Sequence, residues 1–472
     1  MEKNIKSHSD EIDIPKEDPF VNSAFKEEDE KYAEILTNIV SVYSKSGCVL
    51  ALNGEWGSGK TTFVKMWKQQ LEKGKFKTLY FNAWESDYTT DPLIAMLSEF
   101  ESLSSKDGNY KKLISAGGRI ALSVGVDIAK GIIKKATGVD PNKIQATIKE
   151  TSDIGTEYLK EYAEQKSSFK EFKESLKEFV GSNANDDKPI VFFVDELDRC
   201  NPTYAVKVLE RIKHLFDIPQ IVFVLAVNKK QLGYAIQGYF GSSKMNADAY
   251  LRRFIDIEYT LPEPDMWKYC SHLYDIYGFK DFFENSDRKN YNLEPQEIDT
   301  FLQIASTIAN GNHVSLRTVD KVFAISRLVL MECSKGAYLF SGVFFLLCYW
   351  KIVDFEFYDN IKKHRYDIKE LLSEIENRFS HNILDGTSRE NNIYSNSLIW
   401  AIGLLICQYD ATGNGQKYEN GSSVSIFPID CKIIDKKNLN MAINYYSKNH
   451  HYNKSLKNTF GRIDLLDNFS LN

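Results

Sequence analysis

Residues 54–61 place glycines, a lysine and a threonine in the order that a phosphate-binding loop requires. The segment reads Gly-Glu-Trp-Gly-Ser-Gly-Lys-Thr and fits the pattern G-x-x-x-x-G-K-[ST]. Glycines let backbone N–H groups close around phosphate oxygens. Lys60 can then reach the β- and γ-phosphates, and the Thr61 hydroxyl can ligate Mg²⁺. The predicted nucleotide-binding residues are the loop and its neighbour, Gly54, Glu55, Trp56, Gly57, Ser58, Gly59, Lys60, Thr61 and Thr62.

A pair of carboxylates, Asp195 and Glu196, follows the apolar run at 190–194. An acid at the carboxyl end of a parallel strand lies where ligands bind in open α/β sheets. Asp195 is placed to hold Mg²⁺, directly or through water. Glu196 can orient and deprotonate the attacking water. The alternative is that both acids only cap the next helix, but the upstream phosphate loop favours nucleotide hydrolysis.

Four more side chains are candidates for contact with the transferring phosphate. Asn228 ends the apolar run 221–227 and can contact the γ-phosphate or the lytic water, although it also fits an ordinary turn. Arg252 and Arg253 precede the last strand, where an arginine at a subunit edge can stabilise a neighbour's phosphoryl group. Surface ion pairs are the alternative. Arg317 starts a C-terminal helix that could close over the nucleotide, or it is a solvated residue.

Apolar runs and helical periodicities alternate around these residues. The predicted strands are 48–52, 77–83, 190–194, 221–227 and 254–260. The predicted helices are 30–43, a helix from Thr62 onward, 92–100, 204–216 and 229–240. Such alternation indicates a parallel sheet covered on both faces, hence an α/β fold. We expect an acidic arm at 1–30, a nucleotide-binding core at 31–262 with a helical insertion at 92–180, a helical lid at 263–354 and a mainly helical region of unassigned role at 355–472.

Composition restricts the class of protein and its compartment. The 472 residues are 43% hydrophobic and 26% charged, which is ordinary for a soluble globular protein. A net charge of −6 argues against a general nucleic-acid coat but leaves a local basic groove open. The seven cysteines lack metal-ligand spacing, which argues against structural zinc and for a reducing cytoplasm.

No stretch of the sequence predicts an integral membrane segment. The first residues carry no apolar core, so they do not form a signal peptide. The charge-free stretch 336–350 is shorter than the roughly 20 residues that a span needs, and 391–409 is polar over its first third. Both are predicted to be buried helices. The stretch 116–126 is rich in Gly, Ala and Ser and predicts close helix packing.

Three strings make the chain resemble the KAP family of P-loop NTPases. They are 54–63, with Trp56 between the glycines, 80–85 (Tyr-Phe-Asn-Ala-Trp-Glu) and 192–200 (Phe-Phe-Val-Asp-Glu-Leu-Asp-Arg-Cys). Residues 315–320 look like the family's distal arginine motif, with Leu316 where Pro is more usual. The resemblance covers roughly 18–354.

The resemblance implies an additional-strand ATPase core with a five-stranded parallel sheet of order 5-1-4-3-2 and a C-terminal all-helical lid. Asp195 and Asn228 would then lie on neighbouring strands, and Arg252 or Arg253 would occupy the arginine-finger position. Many members carry membrane helices between the phosphate loop and the acidic strand, but 112–136 holds too many charges to span. Bacterial members are often associated with resistance to phage or plasmid entry.

The leading hypothesis is a cytoplasmic ATPase that uses ATP and Mg²⁺ and acts as an assembly or conformational switch in bacterial antiphage defence. We expect a homo-oligomer and a partner effector protein. One alternative is a nucleic-acid-bound sensor or loader; its lysines, which also fit a solvated face, are Lys432, Lys436, Lys437, Lys448, Lys454 and Lys457. Another alternative is a scaffold that the nucleotide stabilises. The pair His450-His451 is read as a surface pair.

Overall fold

The structure is a computed structural model in which the chain divides into two compact units, Ile12–Glu263 and Pro264–Asn472. It describes residues 13–89, 91–103, 108–123, 154–184, 188–215, 217–289, 294–333, 339–384, 392–413, 431–448 and 456–464. The first twelve residues of the predicted arm, the middle of the helical insertion, Lys454 and the pair His450-His451 lie outside the described residues.

A five-stranded parallel sheet forms the centre of the N-terminal unit. Its strands are β1 (Cys48–Asn53), β2 (Lys77–Asn82), β3 (Ile190–Asp195), β4 (Ile221–Val227) and β5 (Ile257–Thr260). They lie in the order β2-β3-β4-β1-β5, and every pair is parallel, which confirms the predicted order 5-1-4-3-2. All residues of β3 and β4 are buried, as expected for continuous apolar strands in the middle of a sheet.

Helices cover both faces of this sheet. They are α1 (Lys26–Val42), α2 (Lys60–Lys73), α3 (Pro92–Glu99), α4 (Gly108–Ser123), α5 (Ile154–Asn183), α6 (Pro202–Leu215), α7 (Lys229–Phe240) and α8 (Ala247–Leu251). Successive side chains of a strand point to opposite faces. Phe193 therefore packs with α1 and α2, whereas Phe192 packs with α3, α5 and α6.

Close packing of the helical insertion requires a small residue. A Cβ at Gly117 in α4 would lie 2.2 Å from Cδ1 of Leu97 in α3. Arg119 of α4 also donates a hydrogen bond to Glu171 of α5. These contacts confirm the predicted close packing for the part of the 116–126 stretch that the structure describes.

Two element starts differ from the sequence predictions by three or four residues, while the other compared boundaries differ by at most two. Helix α1 begins at Lys26, four residues before the predicted start, and Phe20 is buried, so the predicted arm 1–30 overlaps the folded unit. Strand β5 begins at Ile257 and not at 254, because the backbone after α8 first turns. In that turn the N–H of Arg253 donates to the carbonyl of Tyr250 at 3.1 Å.

Helices make up the described part of the C-terminal unit. They are α9 (Met266–Ile276), α10 (Lys280–Phe283), α11 (Ser286–Lys289), α12 (Glu294–Gly311), α13 (Leu316–Met331), α14 (Ser341–Val353), α15 (Phe355–Lys362), α16 (Ile368–Arg378), α17 (His381–Leu384), α18 (Asn392–Gly413), α19 (Lys436–Lys448) and α20 (Lys457–Asp464). Ten consecutive residues of α14, from Ser341 to Trp350, are buried. The charge-free stretch is thus a core helix, as predicted. Over the described ranges, no helix has both the length and the apolar character to cross a membrane.

Candidate nucleotide-binding site

The phosphate loop joins β1 to α2 and needs its glycines for backbone conformation. Gly57 and Gly59 have φ angles of 75° and 88°, in the left-handed region that side chains disfavour. A Cβ at Gly54 would lie 3.0 Å from Oγ of Ser58. Gly59 directly precedes α2, so the loop runs into a helix N-terminus, where backbone N–H groups favour anions.

Polar groups inside the loop are arranged to receive an anion. Lys60 is 8% exposed, and its ammonium donates hydrogen bonds to the carbonyl oxygens of Gly54 at 2.6 Å and Glu55 at 2.8 Å. Burial lowers the pKa of Lys60, while nearby Asp198 and Asp195 oppose that shift. The buried Oγ of Ser58 has no hydrogen-bond partner within the described structure. A hydroxyl of this kind is rarely left unpaired, and phosphate oxygens would satisfy it.

The Mg²⁺ ligands that the sequence predicts lie beside each other. The Thr61 side chain, on the first turn of α2, lies near the carboxylate of Asp195 at the end of β3 and acts to lower the pKa of that carboxylate. Asp195 is 1% exposed and also accepts a hydrogen bond from the Tyr80 hydroxyl at 2.9 Å. Burial raises the pKa of Asp195 against the opposite effects of Thr61, Tyr80 and Lys60. A hydroxyl and a carboxylate side by side fit a Mg²⁺ ion that also binds phosphate.

Glu196 occupies a strained turn directly after β3. Its φ is 60°, in the left-handed region, which a residue with a side chain rarely adopts. Its backbone N–H donates to Oδ1 of Asp195 at 2.8 Å. Oε1 of Glu196 lies 2.9 Å from Nη1 of Arg199, and the Arg199 guanidinium carbon lies 5.7 Å from the centroid of the Trp84 ring.

The exposed tryptophan of the phosphate loop contacts the same acidic segment. Trp56 is 47% exposed, and its indole N–H donates to Oδ2 of Asp198. Asp198 is itself buried. The family-specific strings at 54–63 and 192–200 therefore touch each other through side chains.

Asn228 links the phosphate loop to the end of β4. Its amide nitrogen donates to Oε2 of Glu55 at 2.7 Å, while its amide oxygen accepts from the backbone N–H groups of Lys230 at 3.1 Å and Gln231 at 3.2 Å. Asn228 is thus the N-cap of α7 as well as a neighbour of the loop. Strands β3 and β4 pair directly, which confirms the neighbouring-strand placement of Asp195 and Asn228.

The three candidate arginines lie on helix ends. Arg252 is the C-cap of α8, and both Arg252 and Arg253 are exposed. The Arg253 guanidinium lies 5.9 Å from the Tyr250 ring. Arg317 lies in the first turn of α13, in the C-terminal unit, where Ser315 caps the helix. The catalytic roles of these arginines remain predictions.

Four residues near the site had no role in the sequence predictions: Tyr80, Trp84, Asp198 and Arg199. All four belong to the two strings that carried the family resemblance, at 80–85 and 192–200. Membership in these two strings was therefore the signal by which the four residues could have been found. Nothing in the spacing of the residues, however, indicates that an arginine three positions after Glu196 pairs with it.

A parallel sheet of this order, with a phosphate loop after β1 and an acid pair after β3, defines a P-loop nucleotide-binding protein. The model of the KAP family P-loop domain matches residues 29–324, well over half of the chain. The chain belongs to the KAP family of P-loop NTPases.

One curated relative and two solved structures are also similar to the chain. The phage T7 exclusion protein of Escherichia coli (strain K12) is 20% identical over 249 residues. That match includes 49% of this chain and 32% of the relative, so it spans about a third of the relative's length. The Aeropyrum pernix ORC2 protein in its ADP form has a TM-score of 0.37 at 12% identity. The match covers 97% of this chain and 88% of the ORC2 chain. Its ADPNP-ADP complexes give a TM-score of 0.36 at 13% identity, with 97% and 96% covered.

Proposed function

We propose that the protein is a Mg²⁺-dependent ATPase. The observation that carries the proposal is that Thr61 and Asp195 lie beside each other, with Glu196 as the next residue. A hydroxyl and a carboxylate for the metal and a second carboxylate for the water are the groups that hydrolysis of a nucleoside triphosphate requires. A protein that only bound a nucleotide would need the phosphate loop but not a base at this position.

Each residue has a stated task in this proposal. Backbone N–H groups of the loop and the Lys60 ammonium hold the β- and γ-phosphates. Thr61 and Asp195 would hold Mg²⁺, which when bound neutralises charge that develops on the phosphate oxygens. Glu196 accepts a proton from the attacking water. Asn228 supports the loop through Glu55, and its amide lies at the strand end where the lytic water would bind.

We propose further that hydrolysis controls assembly. Arg252 and Arg253 are exposed on the unit that holds the phosphate loop, where they are available to a neighbouring copy. An arginine supplied by another subunit can stabilise the transferring phosphoryl group. Such a protein is a switch whose oligomeric state follows its nucleotide.

The biological setting that we propose is bacterial antiphage defence in the cytoplasm. The name of the similar Escherichia coli protein, a phage T7 exclusion protein, supports this setting. All seven cysteines are free, and six of them are buried, as suits a reducing compartment.

Nucleotide turnover and mass, measured together, test the proposal. Wild type should release phosphate from ATP with Mg²⁺ but not with EDTA, and its mass in light scattering should rise with ATP. Lys60→Ala should lose ATP binding and both responses, because the loop loses the ammonium that contacts phosphate. Lys68→Ala is the matched control, since Lys68 lies two turns along the same helix and pairs with Glu72. If wild type shows no turnover, the proposal is wrong and the alternative of a scaffold that the nucleotide stabilises is favoured.

A further inference from the structure

Two strings of the sequence have features that phosphate and metal binding do not explain. The string 80–85 contains Asn82, Trp84 and Glu85, and the string 192–200 continues past the acid pair to Arg199. These two segments meet, because the Arg199 guanidinium lies over the Trp84 ring at 5.7 Å and also pairs with Glu196 at 2.9 Å. The contacts form a chain from the loop after β2 to the proposed catalytic base.

The turn fixes the backbone of Glu196, whereas the position of its carboxylate depends on the ion pair with Arg199. The residue is the N-cap of the short 3-10 turn Leu197–Arg199, yet its side chain makes no capping hydrogen bond. The carboxylate instead pairs with the guanidinium of Arg199, the last residue of that turn. The side chains of Glu196 and Arg199 are 14% and 27% exposed, so solvent screens the pair only in part.

The loop that carries Trp84 is closed by its own hydrogen bonds. The Trp84 backbone N–H donates to Oδ1 of Asn82 at 3.1 Å, and Nδ2 of Asn82 donates to Oε1 of Glu85 at 2.9 Å. The three residues form a closed turn at the end of β2 that presents the indole face. An indole is the best aromatic partner for a cation, and the planar guanidinium stacks on it well.

We propose that Arg199 is a positioning residue for Glu196 and that Trp84 is the platform that holds Arg199 in place. The inference rests on the proposed ATPase function. A general base must be within hydrogen-bond reach of the proton that it removes, and misplacement of a reacting group by about 1 Å can lower the rate by roughly 100-fold. A glutamate side chain has several rotatable bonds, and the paired arginine restricts them.

Steady-state hydrolysis by variants of the full chain, together with ATP affinity, tests the inference. Arg199→Ala should lower kcat by about tenfold, less than the roughly 100-fold expected for Glu196→Gln. Trp84→Ala should lower kcat by about threefold, since the arginine stays but loses its platform. The double variant should be no worse than Arg199→Ala alone, because both residues act through one contact. Affinity for Mg²⁺ and a non-hydrolysable ATP analogue, measured by calorimetry, should not change.

Conservative variants and an added cation separate positioning from folding. Trp84→Phe should keep most of the wild-type kcat, since it retains an aromatic face. Millimolar guanidinium chloride should restore part of the activity of Arg199→Ala, whereas sodium chloride at the same concentration should not. Tyr88→Ala is the matched control, because Tyr88 is an 81% exposed aromatic residue four positions after Trp84.

The possible results distinguish this inference from the proposed function. If wild type hydrolyses ATP, Glu196→Gln does not, and Arg199→Ala keeps wild-type kcat, the inference is wrong and the ATPase stands. A fall in kcat that comes with weaker binding of the analogue or a lower melting temperature assigns Arg199 a structural role and also overturns it. If wild type does not hydrolyse ATP, the proposed function fails first, and the inference fails with it.

Discussion

The amide nitrogen of Asn228 lies 2.7 Å from the carboxylate oxygen Oε2 of Glu55, so the end of β4 is bonded directly to the phosphate loop. The same amide caps α7 through its oxygen. One buried side chain therefore connects the loop, the central sheet and a helix. Movement of the loop on nucleotide binding would be felt at the N-terminus of α7.

The two functions of Asn228 can be separated by substitution. Asn228→Ala should lower the free energy of unfolding by about 1 kcal/mol through loss of the N-cap, and should also weaken ATP binding. Asn228→Asp keeps the capping oxygen but places a second carboxylate beside Glu55, so it should weaken ATP binding, and its loss of stability should come from repulsion between the two carboxylates and not from loss of the cap. Denaturant unfolding and calorimetry measure the two effects. Equal ATP affinity in wild type and both variants would show that the contact with Glu55 does not support the loop.

Asp195 should make the metal-free protein less stable as the pH rises. Burial raises its pKa above the ordinary 3.8, so the folded state binds the proton more tightly than the unfolded state. The stability that the neutral Asp195 carboxyl contributes to the folded protein is fully present below pH 3.8. It is lost as the pH rises through the raised pKa of Asp195 in the folded state. Asp195→Asn should therefore raise the free energy of unfolding by about 1 kcal/mol at pH 7 without Mg²⁺. The same variant should lose Mg²⁺-dependent turnover.

Urea unfolding with EDTA, at several pH values from 4 to 8, measures this effect. The difference between Asp195→Asn and wild type should shrink toward the acidic end of the series. A variant that is less stable than wild type at pH 7 would contradict the assigned direction of the pKa shift.

Backbone conformation before β1 should not tolerate a side chain. Gly47 has a φ of 74°, and a Cβ there would lie 2.7 Å from the carbonyl oxygen of Ile218. Gly47→Ala should lower the free energy of unfolding by about 2 kcal/mol. Gly238→Ala is the matched control with the opposite sign, because Gly238 lies inside α7 with no atom within 4 Å of the added Cβ. The free energy of unfolding of that control should rise by up to about 1 kcal/mol. Equal melting temperatures for the two variants would contradict the argument.

Mixing two inactive variants tests whether an arginine acts between subunits. The double variant Arg252→Ala/Arg253→Ala has an intact phosphate loop, and its kcat should fall by roughly 1,000-fold. Lys60→Ala keeps both arginines but binds no nucleotide. If the arginine comes from the neighbouring copy, the mixture should regain activity that neither variant has alone. No recovery in mixed oligomers of verified composition would exclude an arginine supplied in trans from these positions.

The parallel sheet could be predicted from the sequence, whereas the starts of α1 and β5 and the side-chain contacts could not. Continuous apolar runs such as 221–227 mark central strands, and the order of strands followed from the family resemblance. The start of α1 was missed because acidic residues read as a solvated arm, although acids in a first helical turn are stabilised by the helix dipole. The start of β5 was missed because Phe254 and Ile255 are apolar but lie in a turn.

The candidate site was predicted as a set of residues and not as a set of contacts. The phosphate loop and the acid pair were found because their chemistry fixes residue types at short spacings. The bonds from Asn228 to Glu55 and from Trp56 to Asp198 join residues 173 and 142 positions apart, and local patterns carry no signal for them. The ion pair of Arg199 with Glu196 is local, but it depends on the left-handed conformation of Glu196.

Hydrolysis of ATP by Glu196→Gln is the most direct test of the central claim that Glu196 is the catalytic base. The amide cannot accept the proton of the attacking water but keeps the size of the side chain. We predict that this variant binds ATP and Mg²⁺ as wild type does and retains the ATP-bound assembly. Its rate of phosphate release should be lower than that of wild type by at least about 100-fold. Phosphate release by Glu196→Gln at the wild-type rate would contradict the account.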